Sequence, residues 1–311
     1  AWHSEQAQKI IMATAFSSHP DCRLHDMGPV PPECPRRVDV ITDMLMTQRV
    51  LDMLMHFDAP RVSREQLLRV HTAAYLDQLR KTLPTEGIAP IDMDTLMNPK
   101  TLDAAERAAG AVVKATDLVM SGRVANAFCN IRPPGHHATP DTAMGFCFYN
   151  NIAVGVAHAL EQYGLERVAV LDFDVHHGNG TDLIFMNDPR VLVCSLYQEG
   201  LFPFSEGRDH HVGGIDLALP AGCGGNDMRS AVASVWLPAM QSFRPQMVFV
   251  SAGFDAHAYD EMSDLMFSDA DYSWLSRLVM QIADDHAESR LVSSLEGGYD
   301  LDSLGRCAAA H

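Results

Sequence analysis

From residue 125 onward the chain alternates short, continuous apolar runs with stretches of helical period. The runs fall at 125–131, 168–173, 191–196, 247–252 and 291–295. They are too short for helices and lack the apolar/polar alternation of a half-exposed strand, so they predict strands buried on both faces. Helical spacing at 151–163, 181–186, 228–241 and 269–286 separates most of them. Strand, helix, strand in that order predicts a parallel sheet covered on both sides. The first third reads differently. Helical patterns occupy 38–54, 63–79 and 101–120, with Ser63 and Gln66 forming a capping box at the second. Residues 20–37 and 84–99, rich in proline and charge, read as loops. No repeat, low-complexity tract or linker-like shift interrupts the chain. The expectation is one α/β domain over 13–311 behind an extension at 1–12, where Met12 is a candidate natural start. The last residues, ending at His311, begin a helical pattern and leave room for a natural C-terminus beyond them.

Chemistry-bearing residues cluster just after the strands. The run 125–131 leads into Arg132-Pro133-Pro134-Gly135-His136-His137, and 168–171 into Asp172-Phe173-Asp174-Val175-His176-His177-Gly178. Ser195-Leu196 closes the third run. Ala252-Gly253-Phe254-Asp255 and Glu296-Gly297-Gly298-Tyr299 follow the last two. In open parallel sheets ligands bind beyond the carboxyl ends of the strands, so these segments should converge. On an extended backbone Asp172, Asp174 and His176 would point to one side. A solvated loop with a capping aspartate would explain that segment alone. With Asp255 from another strand end, Asp174 and His176 make a three-ligand N/O set that leaves positions open for water and substrate, as a catalytic zinc needs. Such ligands discriminate weakly, so Fe(II) and Mn(II) compete.

His136-His137 sits in a turn stiffened by Pro133 and Pro134. A hydrolase needs a base for the attacking water and an acid for the leaving amine, and an imidazole pair can supply both. Asp172 is the candidate partner of His136, and Asn179 of His137. Tyr299, behind two glycines, can offer a phenol to a developing oxyanion, although a tyrosine there is more often packing. Gly145-Phe146-Cys147-Phe148 and Leu201-Phe202-Pro203-Phe204 can wall a narrow channel or simply fill core. His210-His211 reads as surface, His71 as structural on a helix, and the methionines as core filling.

Composition adjusts this picture only slightly. Apolar residues make up 47% and charged residues 20% of 311 residues, which permits a sizeable core. The net charge of −17 argues against nucleic-acid binding. It either favours cationic ligands such as lysine-bearing peptides and polyamines or serves solubility alone. Seven cysteines without a C-x-x-C pair give no disulfide framework or thiolate site and fit a cytoplasmic enzyme. No membrane span or signal peptide is apparent.

Taken together and in order, these motifs resemble the histone deacetylase family, most closely its class II-like bacterial members. The matching stretches are 132–138, 145–147, 172–180, 251–255 and 296–299. The resemblance implies the arginase/deacetylase fold, with a central parallel β-sheet of about eight strands between α-helices. It implies Zn2+ on Asp174, His176 and Asp255. His137 would be general base and acid beside His136, with His136 coupled to Asp172, and Tyr299 would polarise the acyl carbonyl. Gly145, Phe146, Phe202 and the rim residue Met262 would contact substrate. A structural K+ is implied near Asp172, Asp174, His176, Ser195 and Leu196, with a second monovalent site near Phe185, Asp188 and Val191. The substrate would be an acylated lysine in a peptide or protein, with acetylpolyamines as the alternative, and a homo-oligomer is compatible with this. Met262 stands where polyamine-selective members carry an acidic gatekeeper, which favours acyl-lysine. Two loops depart from the family pattern: Val30-Pro31-Pro32-Glu33, where a His-Pro-Glu run is common, and Asp260-Glu261, where Asp-Pro is usual. Both are expected to shape the rim. A catalytically dead acyl-ligand binder and a two-manganese ureohydrolase are weaker alternatives: the intact site argues against the first, and the absence of an Asp-rich second-metal set against the other.

Overall fold

The computed structural model describes residues 13–29, 32–204 and 214–311. The extension at 1–12 and the His210-His211 pair lie outside the described residues. In chain order the elements are β1 (Thr14–Ser18), α1 (Arg36–Thr47), β2 (Met55–Asp58), α2 (Arg64–Leu67), α3 (Ala73–Thr82), β3 (Ala89–Pro90), β4 (Leu96–Met97), α4 (Thr101–Met120), β5 (Asn126–Cys129) and α5 (Asn151–Tyr163). Then come β6 (Val168–Asp172), α6 (Asn179–Phe185), β7 (Val191–Gln198), β8 (Gly214–Leu219), α7 (Gly225–Phe243), β9 (Met247–Ala252), α8 (Asp269–His286), β10 (Leu291–Leu295) and α9 (Leu301–Ala310). Eight strands form one sheet in the order β2-β1-β5-β10-β9-β6-β7-β8. Every pairing in it is parallel.

The continuous apolar runs are the centre of that sheet. Every residue of β6, β9 and β10 is buried. Alternate residues feed two cores: Val168 and Val170 pack with α4 and α5, while Ala169 and Leu171 face the layer of α1, α7, α8 and α9. Burying one such Val or Leu side chain contributes ~1.5–3 kcal/mol, which holds the strand ends rigidly in place. Among the described residues no helix is long and apolar enough to cross a membrane.

The departures from the expected elements have local causes. β1, β2 and β8 escaped the pattern because β1 carries Thr14, Ser17 and Ser18, and because β2 and β8 are edge strands with mostly half-buried or exposed residues. The helix expected at 38–54 stops at Thr47, followed by Arg49 in the left-handed region at φ 59° and a 3₁₀ turn at Leu51–Met53. The segment 63–79 splits into α2 and α3, the second capped by Thr72, which accepts from the Tyr75 N–H. His71 therefore lies in the break, not on a helix. The expected loop at 84–99 contains the small β3/β4 ladder.

The neighbours β5, β10, β9 and β6 all run the same way, so the segments after their carboxyl ends meet at one edge.

Candidate active site

Asp174, His176 and Asp255 are all buried, and one donor atom from each lies within 4.8 Å of the others. They converge without strand alternation, because β6 ends at Asp172 and the chain bends after it. His176 Nδ1 is 3.1 Å from Asp174 Oδ1 and 3.2 Å from Asp255 Oδ2. The outer oxygens are held by backbone: Gly297 N–H donates to Asp174 Oδ2 at 2.7 Å, and Val175 N–H to Asp255 Oδ1 at 3.0 Å. Asp255 Oδ2 has His176 Nδ1 as an ionic neighbour but no other partner. Two buried carboxylates side by side need a compensating positive charge. A divalent cation between two carboxylates and a neutral imidazole meets that need, so the residues fit zinc. Glycines make the close packing possible: a Cβ on Gly297 would fall 2.1 Å from Asp255 Oδ2, and one on Gly253 2.1 Å from Asp174 Oδ2. The other His/Cys/Asp group among the described residues, His257, Asp269 and Cys307, already has Asp269 paired with Arg306 at 2.8 Å.

The two histidines lie side by side next to this cluster, ring centroids 4.0 Å apart and the rings tilted by 41°. His136 Nδ1 lies 3.0 Å from Asp172 Oδ2, and His137 Nδ1 2.8 Å from Asn179 Oδ1, the partners expected from sequence. Burial works against a charge on His136, but the Asp174 and Asp172 carboxylates outweigh it and push its pKa up to about 10. Burial lowers His137 well below the usual imidazole value, helped by the neighbouring His136 and His176. The two imidazoles are thus pushed in opposite directions. Burial and the Asp174 charge raise Asp255 to about 6.

A cavity of about 50 Å3 opens onto these groups, lined by Asp94, His137, Gly145, Phe146, His176, Phe202, Met262 and Tyr299. Phe202 meets His137 edge-on at 5.0 Å, and Phe146 meets Tyr299 at 5.9 Å. Gly145 is obligatory: φ is 54°, and a Cβ would lie 2.4 Å from the His137 ring. Larger cavities of about 540 Å3 and 210 Å3 lie beside the amino-terminal ends of the strands, away from these groups.

Several residues had a different role, or none, in the sequence reading. Glu33 is fully buried, accepting from Arg132 Nε and Nη2 at 2.7 and 2.6 Å and from Arg37 Nη1 at 3.2 Å. It therefore braces the interior instead of shaping the rim. Arg37 in turn lies over the Tyr299 ring at 4.8 Å. Asp260, also expected at the rim, accepts from the Tyr299, Asp300 and Met262 N–H groups and fixes the tyrosine segment. Asp94 reaches the mouth from the β3–β4 connection. An aspartate in a polar loop carries no periodic signal, so only the fold reveals it.

Among the potassium candidates, Asp172 and Ser195 are register partners on β6 and β7, beside buried Asp174, His176 and Leu196. Phe185, Asp188 and Val191 form one hydrogen-bonded turn, with Asp188 N–H to Phe185 O at 2.9 Å and Val191 N–H to Asp188 O at 3.1 Å.

Residues 31–311 match the histone deacetylase domain model. The chain belongs to the histone deacetylase family. It is 39% identical over 287 residues to a histone deacetylase-like amidohydrolase of Pseudomonas aeruginosa, covering 90% of this chain and 74% of the relative. It is 34% identical to the mouse polyamine deacetylase HDAC10, covering 95% of this chain and 47% of that protein. The crystal structure of the HDA15 HD domain superposes with a TM-score of 0.88 at 32% identity, covering 96% of this chain and 89% of that one. The deacetylase is thus a hydrolase acting on acetyl amides, of a family typically dependent on zinc.

Proposed function

We propose that this chain hydrolyses the amide of an acylated lysine side chain, with zinc held by Asp174, His176 and Asp255. The carrying observation is the narrow slot that ends on His176, His137 and Tyr299 together. When bound, zinc would polarise the acyl carbonyl and acidify the attacking water. His137 is placed to move the protons. Its Nδ1 is committed to Asn179, which leaves Nε2 to take a proton from water and return it to the leaving amine. His136, tied to Asp172, supports it from beside the ring. The Tyr299 phenol donates to the oxyanion that forms at the carbonyl. Phe146, Phe202 and Gly145 line the passage for the lysine methylenes, and Met262 forms part of its wall at the mouth.

Structural K+ at Asp172, Asp174, His176, Ser195 and Leu196, and a second monovalent ion at Phe185, Asp188 and Val191, belong to the same reading. So do a single catalytic domain over 13–311 and a cytoplasmic location, which the seven unpaired cysteines fit. The apolar Met262 favours a peptide-borne lysine. One observation favours acetylpolyamines instead: the Asp94 carboxylate at the mouth of a strongly acidic chain suits a second ammonium group. Tyr299→Phe tests the chemistry. We expect kcat to fall by roughly 10²–10³-fold with zinc still bound, whereas near-normal turnover would remove the phenol from the mechanism.

A further inference from the structure

The turn that carries the histidine pair is held by several backbone hydrogen bonds and by one side chain from the end of the neighbouring strand β10. Ala138 N–H closes the turn onto Gly135 O at 3.0 Å. The His136 carbonyl accepts from the Gly180 and Thr181 N–H groups at 3.0 and 3.1 Å, and Asn151 Nδ2 donates to Pro133 O at 3.1 Å. The N–H groups of Gly135 and His136 share a different partner. Both donate to Oε2 of Glu296, at 2.6 and 3.1 Å. Glu296 is fully buried, and its other oxygen, Oε1, has no partner. A carboxylate buried at such cost, with a single oxygen in use, is spent on those two amides.

The rest of the Glu296 segment holds the other side of the site. Glu296 N–H pairs with Ala252 O at 2.9 Å, at the end of the strand that leads to Asp255. Arg37 grips the Glu296 and Gly298 carbonyls at 2.5 and 2.6 Å. Gly297 N–H donates to Asp174, and Tyr299 N–H to Asp260 at 2.6 Å. Residues 296–299 therefore touch the cation cluster and present the phenol, while the Glu296 carboxylate reaches back to the imidazole turn. The turn cannot shift toward α5, because Gly135 is packed so closely that a Cβ would lie 2.5 Å from Asn151 N.

We infer that Glu296 is a positioning residue, whose carboxylate fixes the His136-His137 turn relative to Tyr299 by accepting the Gly135 and His136 amide protons. It touches neither the slot nor the substrate, so it acts on the chemical step and not on binding. The inference rests on the reading of His137 as the proton carrier.

The test compares Glu296→Gln, which keeps an acceptor, with Glu296→Met, which keeps the bulk and removes it, each loaded with zinc and assayed on an acetyl-lysine peptide. A misplacement of about 1 Å at a catalytic group costs about 10²-fold in rate, so Glu296→Met should lose about that much kcat with KM nearly unchanged. Glu296→Gln should stay within about fivefold of the parent, the difference between a charged and a neutral acceptor. In parallel, the amide proton resonance of Gly135 should lie far downfield in the parent protein and move upfield in Glu296→Gln, a readout that survives if Glu296→Met does not fold. Normal kcat in folded, zinc-bound Glu296→Met would overturn the inference. So would equal losses in the two variants, or an unmoved Gly135 resonance. His137→Ala separates the two claims. Activity retained there sinks the proton-carrier reading itself, whereas an inactive His137→Ala beside indifferent Glu296 variants sinks only the positioning role.

Discussion

Gly297→Ala puts the geometry of the cation cluster under the most direct strain. The backbone there needs no left-handed φ, so alanine is tolerated conformationally, and the consequence is one of space. The new Cβ would stand 2.1 Å from Asp255 Oδ2, 2.5 Å from Asp174 Oδ2 and 2.7 Å from Asp255 Cγ. Ordinary contacts begin at about 3.4 Å, so both carboxylates must shift by about 1 Å within a tightly filled interior. Disturbing the supports of a metal ligand costs about 10–100-fold in affinity, and here two ligands move at once. We expect zinc affinity, measured by competition with a chromogenic chelator, to fall by about 10²-fold or more. Turnover at saturating zinc should fall by about 10²-fold as well, because the reacting groups are displaced. The melting temperature of the metal-free protein should change far less than that of the zinc-loaded protein. Zinc affinity and kcat within twofold of the parent would show that the two carboxylates do not act as ligands.

Two further predictions concern buried charge. Glu33→Gln leaves Arg132 and Arg37 buried without their shared carboxylate, which should cost about 3–5 kcal/mol in urea unfolding; a loss below ~1 kcal/mol would mean that the carbonyl partners suffice. His71 donates from Nδ1 to Thr139 O at 2.9 Å and accepts the Asn150 N–H at Nε2 at 3.0 Å, a geometry open only to the neutral ring. Burial lowers its pKa to about 4. A folded-state pKa below the unfolded value of about 6.5 gives stability that is complete above about pH 6.5 and is lost as pH falls toward 4. By pH 5 the loss should be about 2 kcal/mol, absent in His71→Gln, and parallel stability curves for the two proteins would refute it.

The legibility of this molecule in its sequence follows burial. β6, β9 and β10 were readable because both faces are covered and every position but Asp172 is apolar or small. α4 and α5 were readable to their end residues, one closing at Ser121-Gly122 and the other at Gly164. The edge strands β2 and β8 were not, since half-covered strands with polar positions look like loop. The cation cluster and the histidine pair were readable because unusual residues follow strand ends, and a parallel sheet brings strand ends together. Glu33 and Asp260 were misplaced to the rim for a related reason: a charged residue in a loop is normally solvated, and only the fold shows Arg132, Arg37 and the Tyr299 backbone waiting for them. Asp94 and the two amide bonds of Glu296 depend on contacts between segments far apart in the chain, which no local pattern records.

The central claim is that a cation on Asp174, His176 and Asp255 serves hydrolysis of an acyl-lysine amide in the adjoining slot. It is tested by kcat/KM on an acetyl-lysine peptide and on acetylputrescine, measured side by side for the zinc-loaded protein and for Asp174→Ala with zinc content determined on the same samples. The account predicts the peptide to be preferred by about tenfold or more, and predicts Asp174→Ala to lose stoichiometric zinc and both activities together. Preference for acetylputrescine would contradict the substrate reading. An Asp174→Ala protein that keeps its zinc or its turnover would contradict the site itself.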